Sequence, residues 1–317
     1  MKSIASAPAK IILFGEHFVV HGTPAILAAI DKRVTVSSTF TENGTLKINS
    51  ELGTLEVSIS SLYKYKEVKS EFRPFVYLTN KMIDSNQNVK GLEITINSDI
   101  PIGVGLGSSS ACCVATTASI SGLFKELSSE EILKISIEAE KTIFPDTSGA
   151  DCTVCTYGGM INYPNIKKID NTFDLNLLIA NSMIPHNTKN SVEKVNKFKE
   201  NDEERFSQLC DLETKLIGEV ITVMKNNDTA AFGLKMSENQ KYLEEIQVSN
   251  DTLRGMISSL KEISLGTKIT GAGDGGCIIA LVKDENMDQV PALLPKDKEC
   301  FSAKIDTKGV VWSTIEE

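Results

Sequence analysis

The chain has 317 residues, 41% of them hydrophobic and 24% charged, a balance that builds a full apolar core and excludes a disordered or fibrous chain. Its formal net charge of -9 opposes general attraction to nucleic acid or to an anionic membrane, so a polyanionic ligand must be held locally, by backbone amides, a few cations or a metal ion. The seven cysteines, an odd number spread from Cys112 to Cys300, read as reduced thiols in a cytoplasmic protein.

The length predicts about two domains. No run approaches the roughly 18 consecutive apolar residues that span a bilayer, and Met1-Lys2 leads straight into a patterned strand without signal-peptide architecture. Cys152-Thr-Val-Cys155 has the spacing of half a zinc site, but no second pair and no nearby histidine follow it, so these are read as small core residues.

In chain order, residues 3–14 pattern as a strand, followed by two further strands over 24–30 and 34–40 and two short ones over 44–49 and 53–58. Residues 72–84 fit a helix. The alternating run 91–97 is a strand, and 110–123, dense in Ala, Cys, Ser, Thr and Gly, is a helix that must sit close against a neighbour. Ser128 and Glu131 form a capping-box pattern ahead of Ile132, Ile135, Ala139 and Ile143, which share one helical face. Residues 146–151 read as a turn and 158–162 as a strand. The polar stretch 165–173 marks the domain boundary, dividing 1–170 from 171–317. A strand over 175–180, a helical region over 192–246 broken at 226–228, a helix over 251–262, a glycine-interrupted apolar run over 268–282, a helix over 287–294 and a closing strand over 300–305 complete the chain.

Two stretches carry chemistry. In Pro101-Ile-Gly-Val-Gly-Leu-Gly-Ser-Ser-Ser110 three glycines at every second position run into three serines and then a helix, after a strand. Glycines let amides turn toward an anion, serines cap the helix, and the helix N-terminus attracts negative charge, so the stretch reads as a phosphate cradle or as a tight capped turn. Gly271-Ala-Gly-Asp-Gly-Gly276 formally fits a dinucleotide fingerprint. It feeds a strand where that fingerprint must open a helix, so a Rossmann reading fails and a glycine hairpin remains.

Four blocks in order resemble the galactokinase, homoserine kinase, mevalonate kinase and phosphomevalonate kinase (GHMP) superfamily, and their details resemble its mevalonate kinase family. They are Ala7-Pro-Ala-Lys-Ile-Ile-Leu-Phe-Gly-Glu-His-Phe-Val-Val-His-Gly22, the 101–111 loop, Glu140 with Ser148-Gly-Ala-Asp151, and Lys268-Ile-Thr-Gly-Ala-Gly-Asp-Gly-Gly-Cys277. Ile184-Pro-His-Asn-Thr-Lys189 is similar to a further segment of that family. The resemblance implies an α+β, two-domain GHMP kinase fold, with an N-terminal ribosomal-protein-S5-domain-2-like α/β domain that binds ATP and a C-terminal ferredoxin-like α+β domain.

It also implies roles. Pro101, Gly103, Val104, Gly105, Leu106, Gly107, Ser108, Ser109 and Ser110 would bind the phosphates of ATP, Ser109 and Glu140 would hold Mg²⁺, and Asp151 with Lys10 would act on the acceptor hydroxyl. Glu16, His17, Thr188 and Ala272 would line the mevalonate pocket, and His21 would serve the turn. Two departures stand out: His186 occupies the place of a familiar arginine, and Phe-Pro-Asp-Thr precedes Ser148-Gly149. The implied reaction is MgATP-dependent phosphorylation of the 5-hydroxyl of (R)-mevalonate by a homodimer. The alternatives are another GHMP kinase acting on phosphomevalonate, a sugar or homoserine, or a non-catalytic metabolite sensor on the same fold.

Overall fold

The computed structural model describes residues 1–84, 89–169, 175–185 and 188–316. The first sheet begins with β1 (Lys2–Phe14), β2 (Ala25–Thr41), β3 (Thr45–Ser50) and β4 (Gly53–Ser58). Helix α1 (Arg73–Asp84) leads to β5 (Gly91–Ser98), α2 (Ser108–Ser121), α3 (Ser129–Glu140), α4 (Ala150–Tyr157), β6 (Met160–Tyr163) and β7 (Lys167–Ile169). The second half has β8 (Leu177–Asn181), then α5 (Thr188–Asn201), α6 (Glu203–Lys225), α7 (Thr229–Glu245) and α8 (Asp251–Ser259), and ends with β9 (Ser264–Thr270), β10 (Cys277–Val282), α9 (Val290–Leu293), β11 (Glu299–Ala303) and β12 (Val311–Ile315).

The strands form two sheets. The larger has the order β12-β1-β2-β5-β3-β4, with β6 on β2 and β7 on β6; the smaller, wholly antiparallel, has the order β11-β8-β10-β9. Alternation along β1 sends Ala5, Ala7, Ala9, Ile11 and Leu13 into the core. The small residues of α2 explain themselves in its burial: Ala111, Ala115 and Ala118 are fully covered, and Ser119 Oγ reaches Ser38 Oγ at 2.8 Å and the Ser3 carbonyl at 3.1 Å. Large side chains there would hold the helix off the sheet. The capping box of α3 is present, with Ser128 N–H donating to Glu131 Oε2 at 2.8 Å and Glu131 N–H to Ser128 Oγ at 3.3 Å.

The two layers are stitched along β1 and β9. Ile12 N–H donates to Thr270 Oγ1 at 2.9 Å, that hydroxyl donates to the Ile12 carbonyl at 3.0 Å, and Phe14 packs edge-on against Phe232 of α7 at 5.5 Å between ring centres.

Some elements differ from the sequence pattern. The strands expected at 24–30 and 34–40 are one long β2, because Arg33, in the polar break, pairs with Asp306 and donates to Ser6 Oγ at 2.8 Å while the β1 partner shifts register. The helical region expected over 192–246 breaks at 226–228 as predicted and again at Asp202, whose carboxylate caps α6 by accepting from Arg205 N–H at 2.9 Å. The turn expected at 146–151 continues into α4. The 170/171 boundary falls in residues outside the described ones, and β12 returns to pair with β1, so the end of the 171–317 segment belongs to the first sheet.

Candidate active site

The glycine-rich loop hangs between β5 and α2. Gly103, Gly105 and Gly107 adopt φ values of 75°, 83° and 75°, the left-handed region that L residues avoid, and this alternation turns successive peptide groups and delivers the chain into the first turn of α2. The loop is anchored where Lys10 N–H donates to the Leu106 carbonyl at 2.9 Å. Val104 and Leu106 point into the core, whereas Gly103 is exposed and Ser108 and Ser109 are half-buried at the helix N-terminus, whose leading amides lack intrahelical acceptors.

Lys10 lies beside this cradle on β1. Its Nζ stands 3.1 Å from Asp151 Oδ2, with the lysine side chain 7% and the aspartate side chain 33% exposed. Asp151 sits in the first turn of α4, where the helix dipole favours a negative group, after Gly149 at φ 77°. A covered ammonium is thus paired to a carboxylate that retains solvent access, a combination able to take a proton and to hold developing negative charge.

Glu140, at the end of α3, is 3% exposed. Ser110 Oγ donates to its Oε1 and Thr147 Oγ1 to its Oε2 at 2.6 Å. Burial pushes the Glu140 carboxyl above its ordinary value against these hydrogen bonds, and the nearby Asp151 charge adds to the rise. The side chain that meets Glu140 is thus Ser110, and Thr147 joins it; Ser109, half-buried, borders an apolar cavity.

That cavity, ≈ 260 Å³, lies against the cradle and is lined by Leu52, Phe75, Ile96, Ile102, Cys112 and Phe144 together with Gly103, Ser108 and Ser109. Cys112 is a free thiol pushed up to about 12 by burial, so it serves as packing.

The second sheet contributes the glycine hairpin between β9 and β10. A Cβ on Gly271 would lie 3.7 Å from the Gly105 carbonyl oxygen, so hairpin and phosphate cradle are neighbours. His17, in a 3-10 turn over His17–His21, donates from Nε2 to the Ala272 carbonyl at 2.8 Å; burial pulls its pKa below the ordinary histidine value, which leaves it a neutral ring with Nδ1 free to accept. Asp274 adopts φ 56° and holds Lys194 of α5 at 2.7 Å. His21 packs edge-on against Phe206 at 4.8 Å, as befits a turn residue.

Glu16, expected in the acceptor pocket, is 1% exposed; its Oε1 pairs with the equally buried Lys268 of β9, and its Oε2 is buried without a hydrogen-bond partner. Thr188 opens α5, exposed and without a hydrogen bond to Lys10 or Asp151 among the described residues, and His186 lies outside the described residues. Sequence reasoning gave Ser110 a phosphate contact but not its bond to Glu140, and it assigned no role to Thr147, Lys268 or Glu213. The last two carried a signal: a lysine in an apolar β run, and a glutamate on the stripe formed by Leu209, Leu216, Ile217 and Val220.

Comparison with known proteins fits this arrangement. Residues 74–159 match the model of the GHMP kinases N-terminal domain and residues 220–292 that of the GHMP kinases C-terminal domain. The chain is 35% identical to a mevalonate kinase of Thermococcus sibiricus, over 98% of each chain, and 34% identical to one of Archaeoglobus fulgidus, over 97% of this chain and 98% of that one. The chain belongs to the mevalonate kinase family of GHMP kinases. Among solved structures, the mevalonate kinase of Methanococcus jannaschii superimposes with a TM-score of 0.85 at 30% identity, covering 96% of this chain and 98% of that one. The mevalonate kinase of L. major, in complex with R-mevalonate, gives 0.81 at 25% identity over 95% of each chain. The two-domain GHMP fold expected from the sequence is therefore the fold of this kinase.

Proposed function

We propose that this chain transfers the γ-phosphoryl group of ATP to the 5-hydroxyl of (R)-mevalonate. The observation that carries the reading is the Lys10–Asp151 pair, held beside a phosphate cradle to which Lys10 is also tied through its backbone. Two features give the cradle its ligand. Its glycines and the α2 N-terminus suit a triphosphate, and the apolar cavity that shares Gly103, Ser108 and Ser109 with it suits a flat nucleobase, so one nucleotide fills both.

In the reaction, the acceptor oxygen attacks the γ-phosphorus as the bond from that phosphorus to the β–γ bridging oxygen breaks. ADP leaves, and the hydroxyl proton passes to an Asp151 carboxylate oxygen. Lys10 stabilises negative charge on the acceptor oxygen and on the transferring group. The neutral His17 ring and the Ala272 carbonyl it binds would line the acceptor side, with Thr188 at its edge.

Mg²⁺ fits the residues present. Glu140 is a desolvated carboxylate whose charge a cation would relieve, and Ser109 and Ser110 offer hard oxygens next to the phosphate site; a Mg²⁺ ion needs only one or two protein carboxylates because phosphate and water supply the rest. Bound there, the ion neutralises phosphate charge. Glu140→Gln is expected to raise the Mg²⁺ concentration for half-maximal rate by roughly tenfold or more. An unchanged Mg²⁺ titration would leave Glu140 as a packing residue only.

The function is tested by measuring ADP release with mevalonate, phosphomevalonate, galactose and homoserine side by side. The expected result is turnover with mevalonate alone; preference for any other acceptor overturns the assignment. Among the described residues no helix is long and apolar enough to cross a membrane. A cytoplasmic homodimer belongs to the same proposal, and sedimentation of the purified chain checks its assembly.

A further inference from the structure

Behind the acceptor side lies a buried cluster of three charged groups and an amide, drawn from four elements. Glu16 and Lys268 have fully covered side chains and form an ion pair, and Lys268 Nζ also donates to the Ile269 carbonyl at 2.7 Å. Glu213 of α6 is fully buried beside them; its Oε2 accepts from Asn239 Nδ2 of α7 at 2.7 Å, and it also accepts from the Gly15 backbone. Glu16 Oε2, Glu213 Oε1 and Asn239 Oδ1 are buried with no hydrogen-bond partner. One ammonium thus pairs with Glu16 and lies near a second buried carboxylate that it does not contact, an arrangement that costs several kcal/mol if Glu213 is charged there without an ion partner.

We propose that Glu213 and Lys268 are positioning residues for the acceptor pocket, locking Glu16 and the His17 turn that follows it against the β9–β10 hairpin. The chain geometry makes the lock direct. Glu16 immediately precedes His17, and Lys268 lies on the strand that runs into Ala272, so the ion pair fixes both ends of the His17–Ala272 hydrogen bond. Glu213 holds Gly15 from below and decides how much negative charge Lys268 must answer. With Glu213 neutral, Lys268 serves Glu16 alone; with Glu213 ionised, the two carboxylates repel and compete for it.

Burial and the Glu16 charge push Glu213 up to about 7, so the neutral form predominates below that pH and the charged form above it. Other groups facing the cluster are Lys10, Cys210 and Tyr242. Burial raises Cys210 and Tyr242 away from the neutral range, and His17 and His21 are lowered, so the Glu213→Gln comparison isolates the contribution of Glu213 to the neutral-to-alkaline limb. Lys268 is lowered by burial and held back by Glu16, which burial raises in turn.

The inference rests on the mevalonate reading. The experiment measures KM for mevalonate and for ATP from about pH 6 to 9 in the wild type, Glu213→Gln and Lys268→Met. The wild-type KM for mevalonate should rise through about pH 7 with that for ATP flat, Glu213→Gln should stay at the low-pH value throughout, and Lys268→Met should raise the mevalonate KM roughly tenfold at every pH. A pH dependence that persists in Glu213→Gln, or equal shifts in both KM values, overturns the proposal. Should Lys268→Met not fold, the isosteric Glu213→Gln decides alone. A wild type that releases no ADP with mevalonate fails the functional reading instead, and the same comparison is then made on whichever acceptor alcohol gives turnover.

Discussion

Asp151→Asn is expected to lower kcat by about 10³-fold, within the 10²–10⁴ that a positioned proton acceptor contributes, while KM for ATP stays within about twofold. The amide has the shape of the carboxylate, so α4 keeps its first turn and the protein folds. What is lost is twofold. No basic oxygen remains to take the hydroxyl proton, and Lys10, 7% exposed, loses the charge that compensates its burial. ATP binding is spared because the loop from Gly103 to Ser110 is built by its own backbone, and Lys10, which pairs with Asp151, is tied to it through the Leu106 carbonyl. Lys10→Met should lose a similar factor in kcat, and the double variant should lose little more than either single one, since each removes the same pair. A kcat for Asp151→Asn within tenfold of the wild type would remove Asp151 from the chemistry; losses that multiply would separate the two residues.

Much of the fold was legible because its strongest signals are local. The alternation of β1 and β5, the capping box at Ser128 and Glu131, and the break at 226–228 each follow from backbone sterics or from one hydrogen bond. Elements set by distant partners were not legible. Helix α4 is built from Ala150-Asp-Cys-Thr-Val-Cys-Thr-Tyr157, weak helix formers that fold because Cys152 through Thr156 are buried against α2 and β1. β12 has no pattern of its own, with four exposed residues around a half-buried Trp312, and exists because β1 offers an open edge.

The site divides the same way. Motif residues located the glycine-rich loop and the Lys10–Asp151 pair, whose left-handed glycines and covered lysine lie together beside β1. Side-chain direction was beyond the motif. Which serine meets Glu140 depends on a 100° step around α2, which brings Ser110 to the carboxylate while Ser109 borders the cavity. Glu16 was placed in the pocket by the family resemblance; the pairing that buries it was not legible, because its partner, Lys268, is 252 residues away in sequence.

Gly107→Ala is expected to cost at least about 100-fold in kcat/KM, far more than the same change at Gly103, although both glycines have φ 75°. The shared conformation sets a common strain of about 1–2 kcal/mol for an L residue. The surroundings differ. A Cβ at Gly103 meets nothing within 4 Å, whereas at Gly107 it would lie 2.6 Å from Lys10 Cγ, well inside the roughly 3.5–4.0 Å of carbon–carbon contact. To relieve it, either Lys10 swings, breaking its 3.1 Å approach to Asp151, or the N-terminus of α2 backs away and carries its phosphate-facing amides with it. Both movements approach 1 Å, a displacement that costs about 10²-fold when it misaligns reacting groups. Gly103→Ala should therefore lose less than about tenfold, by strain alone. Steady-state kinetics on the two variants, with circular dichroism to establish that both fold, measures the difference. Equal losses would mean that the loop conformation, and not its contact with Lys10, governs the reaction.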